Sequence, residues 1–185
     1  MSTRRVQVLL LCEDSQQEAF VRRFLKGMGW NPREIRPRKS PSAGGSAEQW
    51  VREEFPKELT IYRQRQHKAA TILIAVIDAD SKDVQQRVNE FEAECSSQDV
   101  QFRSDDEAVA FVIPKRNIET WIHYLQGEQV TEEDDYPKLS RERGCGPAVE
   151  KLVKLCRSMG LDQNAPPSLA TACNEYATKI KSQRG

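Results

Sequence analysis

The chain has 185 residues, a length that favours a single domain with a substantial hydrophobic core. It carries 28 Lys and Arg residues against 28 Asp and Glu residues, so the net charge alone neither favours nor excludes a nucleic-acid partner. Its five cysteines are scattered, with no Cys-x-x-Cys pair, which disfavours a metal–thiolate site and predicts reduced thiols in a cytoplasmic protein. The apolar run VQVLLLC is too short for a signal sequence or a membrane span, and we expect no association with a membrane.

The first part of the sequence predicts strands and helices in alternation. Residues 5–12 form a continuous apolar run, which is typical of a parallel strand buried on both faces. Apolar residues recur at helical spacing over 15–29 and predict a helix that ends at glycines. Residues 31–45 hold four basic residues and three prolines and end in Gly-Gly, which predicts an extended basic loop with a short strand around Ile35. A second helix is predicted over about 47–66.

The same alternation continues in the middle of the chain. A strand over 70–77 is followed by an Asp-rich turn and by a helix from about 84 to 95. A fourth strand over 108–114 leads into a helix with Asn117 as its N-cap. Short apolar strands separated by helices predict an α/β protein, a Rossmann-like sandwich with a mostly parallel sheet of about four strands.

The C-terminal part has a different pattern. Residues 126–145 are first acidic and then basic without an apolar period, which predicts a mobile loop. Residues 146–182 give two helical patterns separated by the sequence NAPP. We therefore expect an α/β domain over 1–125 and, over 126–185, a loop and a helical extension packed on the same domain.

Acidic residues follow two of the predicted strands at the point where each strand ends. Glu13 comes after the first strand, and Asp78 and Asp80 come after the third. Because the carboxyl ends of parallel strands share one edge of a sheet, where such sheets bind ligands, we expect these three residues to converge. Clustered carboxylates repel one another unless a cation lies among them, and Mg²⁺ prefers oxygen ligands. The sequence therefore predicts a site for Mg²⁺ or Mn²⁺.

Glu119, in the first turn of the helix after the fourth strand, is a candidate for a further metal ligand. The alternative for all of these acids is a role in their own helices. A carboxylate in a first helical turn is favoured by the helix dipole, and an Asp at a strand end caps the helix that follows. This alternative also covers Asp14, Glu18 and Asp83.

Basic residues near the same edge are candidates for binding phosphate. Lys115 and Arg116 lie just beyond the end of the fourth predicted strand, where they would reach a phosphate group. The basic loop supplies further candidates for contacts with a nucleic-acid backbone, namely Arg33, Arg36, Arg38 and Lys39. The alternative at both places is an ordinary solvated surface.

Three segments together resemble the TOPRIM domain of topoisomerases, primases and related nucleases. The segment LLLCED places Glu13 at the end of the first strand, and IAVIDADS places an Asp-x-Asp pair, Asp78 and Asp80, at the end of a later one. IPKRNIETWIHYL is similar to a segment of small stand-alone TOPRIM-like proteins, with Glu119 at its acidic position. The resemblance covers roughly residues 5–125.

The resemblance implies a nuclease. In such an enzyme Asp78 and Asp80 would hold Mg²⁺ or Mn²⁺ against a phosphodiester of DNA or RNA, and Glu13 would bind the metal or act as general acid or base. It also implies an ATPase partner of the AAA or ABC type, because some of these small proteins are encoded beside an ATPase in antiphage defence loci. The sequence departs from the family at Asp14, where glycine is usual.

Two other functions are compatible with the same acids. A non-catalytic adaptor or sensor would use the pocket to bind metal with a nucleotide or a nucleic-acid end. A receiver-like phosphoacceptor domain also carries acids at strand ends and would use Lys115, but the helices after residue 126 fit it poorly.

Overall fold

The structure is a computed structural model that describes residues 6–41, 46–158 and 160–184. The strands are β1 (Val6–Cys12), β2 (Ile35–Lys39), β3 (Ala70–Val76) and β4 (Val109–Val112). The α-helices are α1 (Ser15–Gly27), α2 (Ala47–Arg65), α3 (Val84–Ser97), α4 (Ile118–Leu125), α5 (Gly146–Arg157) and α6 (Pro167–Glu175). The predicted α/β class, with a parallel sheet of four strands, is confirmed.

The order of the strands in the sheet is β2-β1-β3-β4. The chain steps from β1 to the edge strand β2 and then crosses to β3, on the other side of β1. Because crossovers between parallel strands are right-handed, this reversal puts α1 and α2 on opposite faces of the sheet. The space outside the carboxyl ends of β1 and β3 is therefore the topological switch point, where sheets of this kind bind ligands.

The edge strand β2 lies within the segment predicted as a basic loop. Its residues 35–39 pair in parallel register with residues 8–12 of β1, so the short strand predicted around Ile35 is confirmed. Pro37 has no N–H to donate, which an edge strand tolerates because one side of its backbone is unpaired. Three of the predicted phosphate-binding side chains are thus part of the sheet, namely Arg36, Arg38 and Lys39.

Hydrophobic side chains cover both faces of the sheet, which explains the unbroken apolar sequences of β1 and β3. On one face the helices α2 and α3 enclose an aromatic cluster, which consists of Phe55, Phe91, Phe102 and Phe111. The rings of Phe91 and Phe111 stack with their centres 4.6 Å apart. On the face of α1, Phe24 meets Tyr176 edge-on at 5.1 Å. These contacts place the hydrophobic core directly against the central strands.

The C-terminal helices are attached to the open side of β4. The carboxylate of Glu175 accepts hydrogen bonds from the backbone N–H of Phe111 at 2.9 Å and from the guanidinium of Arg103 at 2.5 and 2.9 Å. Arg103 also donates to the carbonyl of Val109 at 2.8 Å. Two outward backbone groups of β4, the N–H of Phe111 and the carbonyl of Val109, are thereby satisfied. After α6 the chain continues through a π-helical turn at Tyr176–Ile180.

The segment 126–145 is irregular up to a 3-10 turn at Glu142–Cys145. Glu132 accepts hydrogen bonds from the N–H and the hydroxyl of Ser168, at 2.9 and 2.5 Å. The indole N–H of Trp121 donates to the same hydroxyl at 2.9 Å. The segment predicted as a mobile loop is therefore fastened by Glu132 to α6, at a serine that also binds α4. Among the described helices, none is long and apolar enough to cross a membrane.

Helices α1 and α5 approach closely at Gly27. A Cβ added to Gly27 would lie 2.6 Å from Cγ2 of Val153, well inside normal van der Waals contact. Arg157 strengthens the same junction, because its Nη2 donates to the Gly27 carbonyl at 2.6 Å. Close packing, and not an unusual backbone conformation, is what requires a glycine here.

We predict that Gly27→Ala lowers the free energy of unfolding by about 1–3 kcal/mol, because the cost of overpacking exceeds the gain in helix propensity. Urea unfolding of Gly27→Ala, Val153→Ala and the double variant measures the effect. The double variant should be more stable than the sum of the single changes implies. Gly146→Ala is the matched control, since no neighbouring group lies within 4 Å of the added Cβ. Additive effects in the double variant would contradict a direct clash.

Candidate functional site

Two of the predicted metal ligands meet at the switch point. Glu13 directly follows β1, and Asp78 lies two residues beyond the end of β3. The two strands are neighbours in the sheet, so both residues emerge at the same edge. There Glu13 Oε1 accepts a hydrogen bond from the backbone N–H of Asp78 at 2.5 Å. This bond holds the carboxylate of Glu13 beside Asp78.

A buried glutamine supports this arrangement from α1. Gln17 is completely buried; its side-chain amide donates to Glu13 Oε1 at 3.3 Å and accepts from the Glu13 N–H at 2.8 Å. Asp14 is the N-cap of α1, and its carboxylate accepts from the N–H of Gln17 at 2.9 Å. Gln17 was not predicted from the sequence. Its spacing, four residues after Glu13 and in the first turn of α1, was the available signal.

Burial raises the pKa of both carboxyl groups. The pKa of Glu13 rises from 4.5 to about 7 because burial penalises its charged form, although the hydrogen bonds from Asp78 and Gln17 oppose the rise. Burial also raises the pKa of Asp78 well above 3.8, and the charge of Glu13 adds to this shift. The Oδ1 atom of Asp78 is inaccessible and has no hydrogen-bond partner among the described residues. A buried oxygen without a partner destabilises the fold unless a positive group lies beside it.

Asp80 does not make contact with this pair. Its side chain is exposed, and one of its carboxylate oxygens lies 3.4 Å from Nη2 of Arg87 in α3. The charge of Asp80 still raises the pKa of Glu13. The backbone φ of Asp80 is 54°, in the left-handed region, which is uncommon for a non-glycine residue and is found at turns and functional sites. Of the three predicted acids, the structure therefore brings only Glu13 and Asp78 into contact.

Glu119 lies in the first turn of α4 and is buried. Burial raises the pKa of its carboxyl group, and the charge of Asp14 adds to the shift. The charge of Glu119 in turn raises the pKa of Asp78. In the described ranges, no three Asp, Glu, His or Cys side chains are grouped so that they could hold a metal ion. The predicted set of four ligands is therefore not assembled in this conformation.

Glu13 and Asp78 nevertheless have the chemistry that Mg²⁺ or Mn²⁺ requires. Mg²⁺ is commonly bound through one or two carboxylates and keeps several waters, so it does not need three protein ligands. A cation beside the pair would favour the ionised carboxylates and give a partner to the orphaned Oδ1 of Asp78. The two residues therefore fit such an ion, with Asp80 and Glu119 as neighbouring charges.

Arg87 is a buried cation that links Asp80 to the helices. It is only 3% exposed, and its Nη1 donates to Glu48 at 3.0 Å and to Glu90 at 2.8 Å. Its Nε has no partner among the described residues. Arg87 was not predicted from the sequence, although its place four residues before the buried Phe91 puts it on the inner face of α3. This network directs Asp80 toward α3.

The predicted phosphate-binding residues of β2 interact with acids of the same chain. Arg38 pairs with Glu54 at 3.2 Å and also with Glu58. The ammonium group of Lys39 lies 3.0 Å from Glu18. The two other basic residues predicted in this segment are exposed, namely Arg33 and Arg36. Two of the four candidates are thus partly neutralised within the fold.

Lys115 and Arg116 are also paired. Both follow β4 at the carboxyl edge of the sheet, as predicted. Lys115 pairs with Glu133, and Arg116 binds Asp135 through two hydrogen bonds of 2.8 and 2.9 Å. Acidic residues of the segment 126–145 therefore bind the two cations that the sequence predicts to bind a phosphate.

Comparisons with family models, with curated proteins and with solved structures found no significant match to this chain. The TOPRIM resemblance accordingly depends on the sequence segments around Glu13, Asp78 and Glu119.

We predict that the metal-free protein loses stability as the pH rises from about 4.5 to about 7. The raised pKa values mean that the folded state binds more protons than the unfolded state in this window, so the contribution of Glu13 and Asp78 is fully present below it and is lost above it. Urea unfolding in chelator at several pH values measures the change. Asp78→Asn should flatten the profile, whereas Glu92→Gln, on an exposed part of α3, should not. If the free energy of unfolding of the wild type instead rises across the window, in parallel with that of Asp78→Asn, the two carboxyl groups are not held close together in a partly buried site.

Proposed function

We propose that the protein is a nuclease that uses Mg²⁺ or Mn²⁺ to hydrolyse phosphodiesters of DNA or RNA. The observation that carries this proposal is the contact between Glu13 and Asp78 at the switch point of a parallel sheet. Two half-buried acids are rarely held side by side without a compensating charge, because each opposes the ionisation of the other. Perturbed pKa values in the crevice where such sheets bind ligands are typical of catalytic sites. The TOPRIM resemblance supports the same class of reaction.

The residues of the site have separate roles in this proposal. A bound Mg²⁺ or Mn²⁺ supplies charge stabilisation to the phosphoryl oxygens. Asp78 offers its unpartnered Oδ1 as a ligand. Glu13 has a pKa near neutrality, so its carboxylate can hold or release a proton at the attacking or leaving oxygen. Gln17 and the N–H of Asp78 keep that carboxylate oriented.

Phosphate binding by Lys115 and Arg116 requires an exchange of partners. Glu133 and Asp135 now hold the two cationic groups, and all four side chains are at least partly exposed to solvent. A phosphate presents to arginine the same forked geometry as a carboxylate. Substrate would therefore replace the two acids, and the segment 126–145 would release the cations.

The partner and the location belong to the same proposal. The resemblance leads us to propose an ATPase of the AAA or ABC type as a second subunit, in an antiphage defence system. A cytoplasmic location is proposed on the same basis and from the unpaired cysteines.

A second candidate function is a non-catalytic adaptor or sensor that binds metal together with a nucleotide or a nucleic-acid end. The observation that favours it is the engagement of Asp80 with Arg87. A second catalytic acid is thereby drawn toward α3, and only one close carboxylate pair remains for the metal.

We predict that Mg²⁺ or Mn²⁺ raises the melting temperature of the wild-type protein, since an ion that binds only the folded state stabilises it by about 2.7 kcal/mol at a hundredfold excess over Kd. Asp78→Asn removes one of two repelling charges at nearly constant volume, so in chelator it should be at least as stable as wild type and should show no metal-induced shift. Asp83→Asn is the matched control, because asparagine caps α3 equally well. The opposite result is that Asp78→Asn melts well below wild type in chelator and that metal changes the melting temperature of neither protein. The contact between Glu13 and Asp78 would then have only a structural role.

We predict metal-dependent cleavage of DNA or RNA by the purified protein, alone or with its ATPase partner, and loss of cleavage in Asp78→Asn. Labelled single-stranded and duplex oligonucleotides in Mg²⁺, Mn²⁺ or chelator test this directly. Asp80→Asn separates the two candidate functions, because a nuclease that needs Asp80 would lose cleavage while it still binds the oligonucleotide. Binding without cleavage by the wild type in every metal would favour the adaptor.

A further inference from the structure

Two open grooves adjoin on the outer side of α1. The first has a volume of about 580 Å³ and lies between α1, the end of β2 and the 3-10 turn at Glu142–Cys145. The second has a volume of about 550 Å³ and lies between α1 and α5. Arg23 and Lys26 line both grooves, so the two form one continuous depression, which we call the α1–α5 groove.

Positive charge predominates in the α1–α5 groove. Its lining contains six basic residues and three acidic ones. The basic residues are Arg22, Arg23, Lys26, Lys39, Lys154 and Arg157, and the acidic residues are Glu18, Glu142 and Glu150. Because the whole chain has equal numbers of acids and bases, this excess is local.

Several cations of the groove are not neutralised. Lys26 and Lys154 are exposed and make no ion pair with any described residue. Among the described residues, Arg23 donates only to the carbonyl of Ala19, at 3.4 Å. Arg157 donates to the carbonyl of Gly27 and forms no ion pair within the described part of the chain. Of the cations predicted from the sequence, four are paired with acids, and one of these, Lys39, also lines the groove.

One end of the groove lies near the candidate site, at the start of α1. Ser15 lines its first part, and this residue begins α1 two positions after Glu13. Lys26 lies near the other end of α1, about 16 Å away at the usual rise of about 1.5 Å per residue. Lys154 and Arg157 extend the positive surface onto α5.

We propose that the α1–α5 groove binds the phosphate backbone of a nucleic-acid strand and leads that strand to Glu13 and Asp78. The delivery to the two acids rests on the proposed nuclease function, whereas the binding does not. The described residues that line the groove include no aromatic side chain, so it has no platform on which bases could stack. It therefore contributes affinity and orientation without selecting a sequence, because phosphate contacts carry no base information.

The test is the binding of labelled oligonucleotides in chelator, over a range of salt concentrations. The variant is Lys26→Glu/Lys154→Glu, and the matched control is Lys68→Glu/Lys151→Glu, which makes the same change of charge at exposed lysines outside the groove. We expect the groove variant to bind at least about tenfold more weakly, with a dependence on the logarithm of salt that is shallower by about 1.4 for a single strand. The control should bind within about twofold of wild type. Thermal melting of both variants checks that they are folded.

Four results would overturn the proposal. The first is equal weakening by both double variants, which would mean that only the net charge matters. The second is unchanged binding by the groove variant. The third is binding of polyglutamate as strong as that of the oligonucleotide and equally dependent on Lys26 and Lys154, which would assign the groove to an acidic protein. Single-stranded DNA, duplex DNA and RNA of several sequences are the separate arms, and a strong preference for one sequence would also contradict backbone binding.

The same measurements separate this proposal from the nuclease proposal. If the groove variant loses binding but the wild type cleaves nothing in any metal, the groove stands and the nuclease does not. If Asp78→Asn binds like wild type and the groove variant also binds like wild type, the strand follows another path to the site.

Discussion

The hydrogen bond from the backbone N–H of Asp78 to the carboxylate of Glu13 connects the main parts of this protein. It joins the residues that follow β1 and β3, at the switch point where the order of the strands reverses. Gln17 brings α1 into the same contact from one face of the sheet. Because Gln17 is buried and bonds to Glu13, a shift of α1 along the sheet would leave a carboxylate or an amide without its partner.

This junction has an energetic cost that the rest of the fold must offset. Two half-buried carboxyl groups lie side by side at the ends of β1 and β3, and the inaccessible Oδ1 of Asp78 has no hydrogen-bond partner among the described residues. The aromatic cluster around Phe91 and Phe111 lies under the same strands and supplies the compensating burial of apolar surface. Natural proteins commonly retain such local instability where a ligand is bound.

Local patterns in the sequence were sufficient to predict the class of fold and the proximity of Glu13 and Asp78. The strands and the helices are encoded by apolar period, and Glu13 and Asp78 are adjacent because each follows a neighbouring parallel strand. The sequence could not give the direction of Asp80, which depends on Arg87 in a separate helix. The pairing of Arg116 with Asp135 was likewise not predictable, since Asp135 lies in the segment 126–145, which has no periodic pattern. Gln17 was hidden for a different reason, because a buried glutamine has no signature apart from its spacing.

The hydrogen bonds of Arg103 and Glu175 to the open edge of β4 affect how this protein could self-associate. An open strand edge is a template on which another chain can add a strand, and this is a common start of aggregation. Here a salt-bridged pair of side chains already occupies one N–H and one carbonyl of the β4 edge. The opposite edge is interrupted by Pro37 and carries charged neighbours. Both edges of the sheet therefore disfavour the addition of another strand, which favours the surfaces of the helices for any self-association.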